Sequence, residues 1–126
     1  MEQSEEHPDA AVCYRGRIFG EDRLYNQSAV ISDELRLVDF ITSVKGAIYR
    51  RSFFSDSIFT EWREWFMNDD IVVSAHLRRR GVPMLVVPVP KDCRIVTLDT
   101  AHIDPLYVSN VKRKMNDMGL KKVFWK

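Results

Sequence analysis

Apolar and polar positions recur along the chain with two periods, and they divide it into alternating strands and helices. Residues 11–19 (AVCYRGRIF) read as one strand with basic residues on one side, and Ala29–Ser32 adds a short second strand. Residues 35–42 (LRLVDFIT) alternate with period two, which predicts a strand that buries Val38 and Phe40 and turns Leu35, Leu37, Asp39 and Ile41 the other way. A turn at 43–46 leads to 47–50, a further strand or a helical turn. Phe53 and Phe54 follow, and exposing both would forfeit roughly 1.5–3 kcal/mol each. In residues 57–66, Ile58, Trp62, Trp65 and Phe66 share one helical stripe. Such a stripe packs inward as core or walls a site for a sugar or aromatic ligand.

The clearest element runs from Asn68 to Pro83 (NDDIVVSAHLRRRGVP). Asn68 or Asp69 caps its start. Asp69 and Asp70 sit at the positive end of the helix dipole, and Arg78, Arg79 and Arg80 sit at the negative end. Gly81 ends the helix, and Pro83 prevents it restarting. Asp70, Val73, Ser74 and Leu77 share a face, so a core-facing Val73 and Leu77 place Asp70 at the mouth of the core. Asp69 points about 100° away, so the two carboxylates are not a proton-sharing dyad. Capping accounts for such a pair, and so does one carboxylate that caps beside one that looks into a cleft. Residues 84–89 (MLVVPV) form a buried strand. A last strand at 94–98, a loop at 99–107 and a helix at 110–118, capped by Ser109 and closed by Gly119, complete the pattern. The amphipathic tail LKKVFWK is too short to stand alone. The predicted fold class is α/β, a small mixed sheet with about three helices, in one domain over 11–126 after a disordered segment at 1–10.

Composition adds exclusions. The chain has 126 residues and a formal net charge of +1, so nothing draws it as a whole to nucleic acid or to an anionic membrane. The balanced charge argues against a nucleic-acid site built on the arginines at 15, 17, 50, 51 and 78–80, and the cluster at 78–80 is explained by the helix dipole. No apolar run is long enough to span a membrane. The acidic, polar start MEQSEEHPDA is not a signal peptide, which predicts a cytoplasmic protein. Cys13 and Cys93 match no metal or redox spacing and read as free thiols. The histidines have no ligand spacing, so the residues themselves assign no metal site. There is no GxGxxG motif and no P-loop.

Taken in order, VDFITSVKGAIYRRSFF, an aromatic helix and NDDIVVSAHLRRRGVPMLVVP resemble the acceptor-side half of family 2-like glycosyltransferases of the GT-A fold. In that family a strand leads to a glycine turn and a Tyr-Arg segment, and then an acidic pair opens a helix that ends in a basic run and a glycine before a strand. The likeness covers roughly residues 11–88. It implies that Asp70 is the general base that receives the proton of an acceptor hydroxyl, and that Asp69 orients or caps. It implies that Lys45, Gly46, Tyr49 and Arg50 bind substrate along the sugar-binding floor, and that Trp62 and Trp65 border the acceptor cleft. The implied partners are a nucleotide-sugar donor and a sugar or lipid acceptor. The implied cofactor is a divalent cation, manganese or magnesium. The family holds that cation with an Asp-x-Asp motif on a preceding nucleotide-binding half, and Asp-x-Asp occurs nowhere in this sequence. The resemblance therefore implies a chain with absent or very weak activity alone: a fragment of a longer enzyme, the product of a truncated gene, or a half completed by a second chain or by self-association. The alternative is a non-catalytic interaction module derived from such a half-domain, with an apolar sheet edge that pairs with another chain.

Overall fold

A computed structural model describes residues 2–25, 27–65, 68–91 and 115–125. The chain is mixed α/β, with two small sheets and four helices among the described residues. Its helices are α1 (Glu2–Glu6), α2 (Ser57–Glu64), α3 (Asp69–Arg79) and α4 (Met115–Gly119). Its strands are β1 (Ala11–Cys13), β2 (Arg15–Ile18), β3 (Ala29–Ser32), β4 (Arg36–Val38), β5 (Phe40–Ile41), β6 (Ala47–Ile48) and β7 (Met84–Val86). One sheet has the order β4-β7-β1-β6 and the other the order β3-β2-β5. The pair β1/β7 is parallel and all other pairs are antiparallel.

Two expected single strands each prove to be two, and the breaks explain why there are two sheets. Residues 11–19 break at Tyr14, whose N–H donates to the Gly46 carbonyl (3.2 Å). Residues 35–42 break at Asp39, whose N–H donates to the Arg17 carbonyl (2.9 Å) and whose Oδ2 accepts from the Phe19 N–H (3.0 Å). At both breaks the chain leaves one sheet for the other, the way packed sheets make a corner. Gly16 lets the backbones meet there, because a Cβ would stand 2.7 Å from the Phe40 carbonyl oxygen and from Val38 Cγ2. Val38 and Phe40 are buried and Leu35 and Leu37 exposed, as the alternation predicts; Ile41, on the face expected to be open, is buried too.

Helix α3 is the centre of the molecule. Ile71, Val72, Ser74, Ala75, His76 and Leu77 are all buried. One flank packs Leu77 against Ala11, Cys13, Met84 and Val86 of the first sheet. Another packs Ile71, Val72 and Ala75 against Phe40, Leu120, Val123 and Phe124. Ser74 Oγ accepts the Ile41 N–H at 3.0 Å and ties the helix to β5. Both helix ends follow the sequence. Asn68 Oδ1 accepts the Asp70 N–H (3.0 Å). At the other end the Gly81 N–H bonds to the Arg78 carbonyl and the Val82 N–H to the Leu77 carbonyl, with Gly81 at φ +71°. That pair of bonds is the Schellman ending that a glycine makes possible.

Other expectations are corrected. Part of the N-terminal segment expected to be disordered forms α1, which is held because Ser4 is buried and its carbonyl accepts from Arg50 Nη2 (3.0 Å). Helix α2 stops at Glu64, and Trp65 takes an extended conformation (φ −151°). Gly119 does not end the last helix. It has helical angles and the chain continues as a π turn over Leu120–Phe124. A glycine stands there for space, since a Cβ would come within 2.5 Å of Trp65 Nε1 and 2.9 Å of Ile71 Cδ1. Phe66, Cys93, the strand at 94–98, the loop at 99–107 and the start of the last helix lie outside the described residues.

Candidate functional site

The parallel strands β1 and β7 bring their C-terminal ends to one end of the first sheet. Only the Gly81 turn separates α3 from β7, so α3 runs back along the sheet and its N-terminus reaches that same end. In sheets with parallel strands this is where ligands bind. A cleft of about 820 Å³ opens there, walled by Cys13, Tyr14, Gly46, Ile48, Val87 and Pro88, with Asp33 and Lys91 also in its lining.

Asp70 stands in the first turn of α3, behind the 3₁₀ turn Ser43–Lys45 that leads into the cleft wall at Gly46. Its Oδ1 accepts two bonds from one residue, the Ser43 hydroxyl at 2.5 Å and the Ser43 N–H at 3.3 Å. Among the described residues no donor reaches Oδ2, and Oδ2 is not among the buried atoms left without a partner. The carboxylate is thus held by one oxygen, with no donor on the other among the described residues. Burial raises its pKa above the ordinary value, the Ser43 hydroxyl opposes that rise, and the charge of Asp69 adds to it. Two neighbours feel the Asp70 charge. The Tyr49 hydroxyl is pushed up by burial first and by Asp70 next. The Cys13 thiol is pushed up to about 12, again mainly by burial. That thiol is protonated at neutral pH, with the Leu85 carbonyl 3.6 Å away, and is no nucleophile.

The other expected site residues divide. Asp69 is exposed and does not line the cleft. Gly46, at φ +114°, donates its N–H to the Ser43 carbonyl (2.8 Å) and accepts from the Tyr14 N–H, so it shapes both the turn and the cleft. Lys45 is exposed on the same turn. Arg50 points to α1, where it bonds the Ser4 carbonyl. Trp62 is exposed on α2, while Trp65 is buried against Ile71 and α4, so neither lines the cleft and the two do not share a face. The structure brings Asp70 to the turn that ends at Gly46, with Tyr49 within electrostatic reach; of these only Gly46 lines the cleft, and Arg50, Trp62 and Trp65 lie elsewhere. Sequence reasoning missed Ser43, Cys13 and Tyr14. Ser43 lies 27 residues before Asp70, and no spacing rule joins them.

A second polar group lies at the interface of α2 and α3, towards the other end of α3. His76 Nε2 accepts the Ser55 N–H (3.1 Å), which leaves the imidazole proton on Nδ1, facing Glu61 Oε2 at 3.0 Å. Arg79 holds the other Glu61 oxygen at 2.7 Å, and Phe54 stacks on the imidazole. Every part of this group bonds to another part, so it clamps the two helices together.

Among the described residues no three or more His, Cys, Asp or Glu side chains converge on a metal position. The divalent cation that the resemblance implies belongs to an Asp-x-Asp motif, which this sequence lacks, and the resemblance gives Asp69 and Asp70 other roles. No helix among the described residues is long and apolar enough to cross a membrane. The chain matches no known family model, no curated protein and no solved structure.

Proposed function

We propose that this chain is the acceptor-side, base-bearing part of a sugar-transferring enzyme of the family 2-like glycosyltransferase kind. The observation that carries this reading is the Asp70 carboxylate, clamped through Oδ1 by Ser43 with no donor on Oδ2 among the described residues, at the end of the first sheet where the parallel strands β1 and β7 finish. Oδ2 takes the proton of an acceptor hydroxyl as that oxygen bonds to the anomeric carbon of the donor sugar. The bond from that carbon to the nucleoside diphosphate breaks in the same step, and the electron pair leaves with the phosphate. A carboxylate of raised proton affinity suits this work, because the proton leaves the hydroxyl only as the new bond forms. The order of elements supports the reading: a strand, a glycine turn, Tyr49-Arg50, an acidic pair opening a helix, and a strand. Donor binding calls for a nucleotide-binding half, in the same or a second polypeptide.

The test is calorimetry of UDP-sugars with manganese or magnesium, and turnover, for the wild type and Asp70→Asn, with a nucleotide-binding half supplied where the chain alone binds nothing. The expected result is unchanged donor binding and a turnover lower by about 10²–10⁴-fold. Equal turnover in the variant would remove Asp70 as base. That result would favour a second reading, a non-catalytic interaction module, for which the observation is Leu37. It is 63% exposed on β4, the edge strand of the first sheet.

A further inference from the structure

We propose that Ser43 is the positioning residue for Asp70, fixing one carboxylate oxygen with its hydroxyl and its N–H so that the other oxygen is presented ionised to the acceptor. This rests on the reading of Asp70 as the base. Ser43 supplies both donors that reach the carboxylate among the described residues, at 2.5 Å and 3.3 Å. Bonds from two directions onto one oxygen fix the plane of the group, as a single bond does not. Ser43 is itself fixed. It opens a 3₁₀ turn whose last bond, from the Gly46 N–H back to the Ser43 carbonyl, is 2.8 Å long. Gly46 holds a left-handed φ of +114° that a side chain resists. The Gly46 carbonyl in turn accepts from Tyr14 at the end of β1. The base is therefore anchored to the sheet through a turn that also forms part of the cleft wall.

The charges facing Asp70 make this anchor necessary. Burial disfavours the ionised form most, and Asp69 on the same helix adds to it. Among the described residues, the hydroxyl of Tyr49, beyond β6, and the thiol of Cys13, on β1, feel the Asp70 charge, and both are neutral at physiological pH, while Lys45 is exposed on the turn that Ser43 opens. Asp69, Tyr49 and Cys13 are not cations. Ser43 is the group that favours the carboxylate.

The experiment follows the Asp70 side-chain carboxyl carbon by NMR across pH in the full chain, as wild type, Ser43→Ala and Ser43→Thr. Ser43→Ala is expected to raise the titration midpoint by about one pH unit, the worth of a lost bond to a charged group. Ser43→Thr, which keeps the hydroxyl, is expected to stay near the wild type. A complemented enzyme would show the acid limb of its turnover moving upward with the midpoint in Ser43→Ala and returning in Ser43→Thr. An unmoved midpoint in a folded Ser43→Ala chain overturns the proposal, as does an equal shift in Ser43→Thr. If Ser43→Ala does not fold, Ser43→Cys replaces it, with a smaller upward shift expected and no shift overturning the idea. The NMR readout needs no activity. A shifted midpoint together with equal turnover of wild type and Asp70→Asn in the complemented enzyme supports the Ser43–Asp70 link while removing Asp70 as the base.

Discussion

Asp70 is ionisable, half-buried and only partly compensated, so its cost to the fold depends on pH. Its folded-state pKa lies above the ordinary value, mainly through burial. A carboxyl shifted in that direction contributes stability that is complete below its unfolded pKa and is lost as pH rises through the folded one. Asp70→Asn keeps an oxygen to accept from Ser43 and removes the charge. It is expected to melt at a higher temperature than the wild type at neutral pH, with the gap closing in acid. Melting curves across pH check this, and a variant that melts lower at neutral pH would show that the ionic bond to Ser43 outweighs burial. Under the proposed reading of Asp70 as the base, such a gain is what the site gives up for its chemistry. Gly119 shows the limit of reading single residues. Gly81 was legible as a stop because arginines precede it and Pro83 follows. Gly119 stood in a similar setting but serves close packing, and no local signal separates a glycine needed for φ from one needed for its missing Cβ. Gly119→Ala is expected to destabilise the chain by about 1–3 kcal/mol through overpacking against Trp65 and Ile71, measured by urea denaturation.

At the scale of elements, what was local was legible and what was set by a distant partner was not. Helix α3 carries its cap, its dipole charges and its ending within sixteen consecutive letters, and all three are found in place. Asn68 has a further task that the sequence does not announce. Its Nδ2 donates to Oδ1 of the buried Asn116 at 2.8 Å, fastening the start of α3 to α4. Asn68→Ala therefore loses a cap worth about 1 kcal/mol and a side-chain bond worth about 1 kcal/mol more. Asn68→Asp keeps the cap and loses only the second, so denaturant titrations should place it between the wild type and the alanine variant. The strands behaved otherwise. Nothing in the alternation of residues 35–42 marks Asp39 as a break, because the Arg17 carbonyl and the Phe19 N–H, far along the chain, create it. The tryptophan stripe failed for a related reason. Helix α2 ends at Glu64, before the spacing of Trp62 and Trp65 can place them on one helical face.

For the molecule as a whole, the α/β class follows from alternating periods and holds, while the division into two sheets depends on pairings that periodicity does not encode. The candidate site is likewise half legible. Asp70 stands out because a helix start is a local event. Ser43 and the cleft emerge only once β1, β7 and the turn at Gly46 meet at one end of a sheet. That meeting has an order in time. Cys13 and Leu85, neighbours across the sheet, are 72 residues apart in the chain. As the polypeptide emerges from the ribosome, β2, β3 and β5 are released close together and can pair early. The apolar β1 has only the two-residue strand β6 beside it until β7 is made. Long loops close late. The wall of the cleft thus forms only once β7 is made, and a nascent chain that stalls before Met84 carries Asp70 without the cleft near it.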